Sequence, residues 1–204
     1  MIIPGMTLEE IRKEIEKDYP ILLRKMGYVA TELGKKLSKE EKRQGNIYFY
    51  DYVSKYNNNW IFRIKANKQG PVYNAIMLYH NGRGHVGISS TPEFYITYHT
   101  GHFFERYNER RKLGLKSIHE IVCAFLAEVD VFKFQEMDEI DEGIYKIFGM
   151  IPSGIVLGMF NKPLMLVKAN TFVANETLTL NQKELMVELN ERLEKYKDTS
   201  GHLN

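Results

Sequence analysis

Cysteine is almost missing from this chain: Cys123 is the single one in 204 residues. That excludes a disulfide framework, a CxxC redox pair and a cysteine-built zinc site. Cys123 lies inside the apolar run EIVCAFLAEV and reads as a small core residue. Long apolar runs are also missing. Nothing approaches the ~20 residues a helix needs to cross a bilayer. The start, MIIPGMTLEEIRKEIEK, turns charged after three apolar residues, without the apolar core of a secretory leader. The expectation is a cytoplasmic protein without a membrane partner. Three catalytic signatures are missing too: the HExxH of zinc peptidases, the GK[ST] ending of a phosphate-binding loop, and a GxSxG context around Ser153.

What is present is ordinary globular composition, 44% hydrophobic and 26% charged, which argues against disorder and for one sizeable domain. Residues 7–43 read as two or three helices. Thr7 with Glu10 and Ser38 with Glu41 form capping boxes, Leu8, Ile11 and Ile15 recur at helical spacing, and Pro20 and Gly34 punctuate the segment. From residue 46 the period becomes two. Two strand pairs, the second turning at NGRG, predict a four-stranded antiparallel meander over residues 46–90. A helix over the stretch 99–115 follows, then a second one capped by Ser117 and Glu120.

Residues 128–142, with seven acids and one lysine, read as a solvated connector. GIYKIFGM, GIVLGMF and LMLVKANTFV predict three more strands, with IPSG and NKP as turns. Thr179 and Gln182 cap a final helix to about Lys197, with Leu185, Val187, Leu189 and Leu193 on its apolar positions. The expected class is therefore α+β: antiparallel sheet, single or double, with helices packed on one side. A helical element, residues 1–45, would pack on an α+β unit, residues 46–204, to make one compact domain.

The densest stretch is HTGHFFERYNERRKLGL, residues 99–115. On a helix, His102, Arg106 and Arg110 fall close to one face, while Phe103, Phe104 and Tyr107 form an anchoring face. His99 reads as a bystander near the helix start, and Arg111 and Lys112 as solvated charge. An imidazole can move a proton at neutral pH, and guanidinium groups can hold a phosphate and the charge that grows on it. Residues 46–116 carry ten Lys or Arg against four Asp or Glu, a surplus that would favour an anion such as a phosphodiester. The competing reading is a surface helix whose arginines pair with Glu105 and Glu109.

HFFERYNER followed by LGLKSIHEIVCAF resembles a motif of the barnase/EndoU/colicin/RelE-like ribonuclease superfamily: H, three residues, R, three residues, R, a glycine-containing turn and a helix. The resemblance implies metal-independent RNA cleavage, with RNA as substrate, an antitoxin-like protein as partner and no cofactor. It carries over His102 as general base or acid and Arg106 and Arg110 as phosphate ligands. Thr171 or Lys168 on a late strand would complete the site. The chain is longer than a minimal toxin, and the acidic stretch separates its helices from the late strands.

Two further constellations stand beside this one. His99, His102 and Glu105 form the alternative metal set, without cysteine partners. Trp60 and the tyrosines of the first meander, interleaved with Lys55, Arg63, Lys65 and Lys68, suggest a stacking platform for single-stranded RNA. That platform supports the other function: a non-catalytic module binding nucleic acid or protein, in which the 99–115 helix is structural.

Overall fold

The computed structural model describes residues 1–91, 95–130, 132–188 and 191. Helix α1, Leu8–Lys36, starts at the Thr7–Glu10 capping box and runs unbroken through Pro20. A proline inside a helix removes one backbone hydrogen bond and costs ~3 kcal/mol. Ile11, Ile15, Leu22, Met26 and Ala30, buried on either side of Pro20, offset that cost, so proline and Gly34 do not divide the segment. Helix α2, Lys39–Gln44, is short, begins at the Ser38–Glu41 box and ends at Gly45 in a left-handed conformation.

The expected meander forms from β1 (Ile47–Val53), β2 (Asn59–Lys65), β3 (Val72–His80) and β4 (His85–Ser90). A short strand, β5 (Ile96–His99), then precedes α3 (Gly101–Arg110) and α4 (Ile118–Glu128). His99 therefore ends a strand rather than beginning a helix. The acidic stretch is not a connector either: Lys133–Asp141 is β6, an edge strand paired with β7 (Ile144–Ile151). Its acids face solvent, and irregular register at Glu136/Glu139 and Glu139/Asp141 twists an edge that charge also protects from foreign pairing. The strands β8 (Gly154–Asn161) and β9 (Leu166–Ala174) complete the set.

The nine strands among the described residues belong to one sheet, in the order β1-β2-β3-β4-β5-β9-β8-β7-β6. The pairing of β5 with β9 is parallel and fuses two antiparallel blocks. The α+β class holds, but the helices are not on one side. Trp60, Phe62 and Ile64 of β2 pack with α1, while Ile61 packs with α3 and α4 on the opposite face. Residues 180–188 are helical, and Leu185 and Met186 pack near Phe148, Ile155 and Val173. Val187, expected on the apolar side of this helix, is 58% exposed. The continuation of the helix through Leu189, Leu193 and Lys197 lies outside the described residues. Among the described residues, no helix is long and apolar enough to cross a membrane.

Candidate functional site: the outer face of α3 and an inner cavity

Thr100 caps α3 by accepting the Phe103 amide at 3.2 Å, and its hydroxyl donates to the Asn170 carbonyl of β9. Phe103, Phe104 and Tyr107 are buried, as an anchoring face requires. Their seat depends on Gly87 of β4, where a Cβ would stand 2.8 Å from the Phe104 ring. The outer face holds His102, whose side chain is 55% exposed. Arg106 donates to His102 Nε2 at 3.4 Å and pairs with Glu109 at 2.6 Å, while Glu105 lies 3.7 Å from His102 Nδ1.

His102 and Arg106 are thus brought together, but the remaining expected site residues are not. Arg110 donates to the Phe172 backbone carbonyl and clamps α3 onto β9. Thr171 pairs with Leu157, which packs with Phe148, Ile155 and Val173 rather than with α3. Ala169, Phe172 and Ala174 are the β9 residues that share a core with α3 and α4. A register shift between Leu157 and Gly158 leaves Asn170 unpaired with β8, so Thr171 falls on the far side. Lys168 pairs laterally with Tyr98, on the α1 side. The sheet therefore stands between His102 and both late-strand residues.

Part of the charge surplus of residues 46–116 is used internally. Arg63 and Lys65 both meet Asp130, at 2.5 and 3.0 Å. Burial pushes the Asp130 carboxyl up, but hydrogen bonds from these two cations hold it below its usual range. Arg63 is fully buried and also donates to the Ala127 carbonyl, where it caps the C-terminus of α4. Arg111, expected to be solvated, pairs with Glu128 at 3.6 Å. Glu128 accepts from the Tyr107 hydroxyl at 2.8 Å and from the Ser153 amide at 2.6 Å, tying α3, α4 and the β7–β8 turn together.

The aromatic platform is divided in the same way. Trp60 is buried and donates to Asp18 at 3.0 Å, so it is not available for stacking. The alternative metal set is dispersed, with His99 buried and Glu105 at the surface. Among the described residues, no group of three or more His, Cys, Asp or Glu is placed to hold a metal.

The other candidate is internal. A cavity of about 320 Å³ lies between β3, β4 and β5 on one side and the end of α4 on the other. Asn74, Ser89, Thr97 and His99 supply polar atoms, and Phe125, Leu126, Val129, Phe132 and Val167 supply apolar walls. His99 is 2% exposed and surrounded by the rings of Phe103, Phe104 and Phe125, with centroids 5.2 to 5.6 Å away. Its Nε2 lies 3.3 Å from Ser89 Oγ, and its Nδ1 is buried without a partner. Burial pushes the His99 imidazole down to about 3, so it is neutral at physiological pH. Asn74 donates to the Val129 carbonyl at 2.5 Å, leaving its buried Oδ1 without a partner. The signal that could have found this group is the alternation in ITYH, which puts Thr97 and His99 on one strand face.

Fold and site define a sheet protein with helices on both faces and a half-open polar-apolar cavity. Comparison with family models, curated proteins and solved structures finds no match.

Proposed function

We propose that the protein is a non-catalytic binding protein, that its ligand seat is the cavity between the sheet and α4, and that α3 is structural. The observation carrying this reading is one half-open pocket lined by a neutral, buried histidine, a hydroxyl beside it and an asparagine whose amide oxygen is buried without a partner. A mostly apolar pocket with a few convergent polar groups and a strongly shifted titratable residue is the usual form of a ligand site. The geometry around α3 supports the same reading, because Arg110 is spent on a backbone carbonyl and Thr171 lies across the sheet.

Two experiments test the proposal. Protein-observed NMR with a panel of one- and two-ring fragments should give shifts clustered at Ser89, Thr97, His99 and Phe125. A panel with no binder, or shifts only at the surface, removes the cavity reading. Labelled RNA incubated with the protein in chelator should remain uncleaved. Product that disappears in His102→Ala, with folding retained, would replace this reading by metal-independent RNA cleavage through His102 and Arg106.

A further inference from the structure

The charge inventory of the cavity narrows its occupant. Among the described residues, no lysine or arginine lines it. The one lining carboxylate, Asp130, is already engaged by Arg63 and Lys65. An anion entering here would lose its hydration without gaining a counter-charge, and a cation would find no free carboxylate. Both kinds of ligand are therefore disfavoured by desolvation.

The polar atoms that remain ask for specific partners. Asn74 is held in one orientation because its amide nitrogen donates to the Val129 carbonyl. Its Oδ1 is an acceptor buried without a donor. His99, with Ser89 beside Nε2, leaves Nδ1 as a second group without a partner. Burying such atoms unpaired is unfavourable, and a ligand group that pairs with one relieves that cost. The walls favour flat, apolar faces: Phe125 and Phe132 stand beside Leu126, Val129 and Val167. A volume of about 320 Å³ is at the small end for a ligand site and suits one or two rings.

We infer that the cavity takes an uncharged, planar ring compound whose edge carries a neutral hydrogen-bond donor and acceptor, and that it rejects the anionic isostere. The inference rests on the cavity being the ligand seat. Asn74 Oδ1 would accept from the ligand's donor.

The test compares indole-3-carboxamide with indole-3-carboxylate on the whole wild-type protein at neutral pH, by NMR titration read at Phe125, Val167 and Ser89. The two probes match in shape and differ in charge. The carboxamide should bind at least ~10-fold more tightly, because the ionised carboxylate is desolvated without a counter-charge. Equal binding, or tighter binding of the carboxylate, at these residues overturns the selectivity for neutral ligands and leaves the cavity as a seat. Silence from both probes counts against the selectivity inference; when no fragment of the wider panel shifts these residues either, the cavity reading falls with it. Asn74→Ala should then reduce the carboxamide preference. Asn74→Ser, which keeps a small polar side chain on β3 facing the end of α4, serves in its place where the alanine variant does not fold.

Discussion

His99 and His102 are three residues apart, and the fold puts them in opposite environments. His102 stands on the outer face of α3 in a chain of surface contacts with Arg106, Glu105 and Glu109. His99 is enclosed by three phenylalanine rings at the end of β5, with one hydroxyl beside it and one nitrogen unpaired. The histidine in the recognisable motif meets a high-dielectric setting, where ion pairs are worth little. The one without a motif meets a setting where every polar atom matters to stability. Spacing along a helix shows which groups can be neighbours; burial determines which of them a ligand or a proton can perturb strongly.

Substitutions should separate the two environments, and the largest effect should come from the cage. Phe125→Ala removes a ring that contacts His99, Phe103, Phe104 and Tyr107, and should cost about 3–5 kcal/mol in denaturant unfolding. A loss below ~1 kcal/mol would mean that the cage is not a packed unit.

The next effect is acid sensitivity. His99 has an ordinary value of 6.5 when unfolded and about 3 in the folded chain. Above 6.5 both states are neutral at this residue and its packing contributes fully. As pH falls below 6.5 the unfolded chain takes up a proton that the folded chain refuses, so stability declines until about pH 3, at roughly 1 kcal/mol per pH unit. Urea midpoints measured between pH 7 and pH 4 should show this slope, and His99→Gln should flatten it. An unchanged slope in that variant would assign the acid sensitivity to other groups.

The smallest effect belongs to the outer face. His102→Ala and Arg106→Ala should each shift stability by no more than ~0.5 kcal/mol, since their partners are exposed. Ligand titrations at the cavity should be indifferent to both.

Much of the architecture was legible before the structure. The meander and the three later strands follow from alternation and turn chemistry, and the capping boxes at Thr7, Ser38 and Ser117 all form. β5 was hidden because its alternation, ITYH, is only four residues long and Thr100 directly after it gives a stronger helix-start signal. β6 was hidden because an edge strand can carry charge toward solvent and its irregular register breaks the period of two. The placement of helices on both faces was signalled in WIFRIK, whose consecutive buried positions require cover on either side, but a short apolar run alone does not say so. At the site, the pairing of His102 with Arg106 was visible as helical spacing. The separation of Thr171 from it was not, because it depends on one extra residue, Asn170, in the β8–β9 ladder.

The parallel seam between β5 and β9 also bears on how the chain reaches this state. Ile96 pairs with Leu166, 70 positions later, and the four registered pairs of the seam are what join the two halves of the sheet edge to edge. Each half can zip up from local hairpins, whereas the seam requires a long loop to close, and the entropy of that closure opposes it. His99 is the last residue of the seam, paired with Ala169. The cavity wall it contributes is therefore assembled only when the two halves of the sheet dock, at a step that closes a long loop.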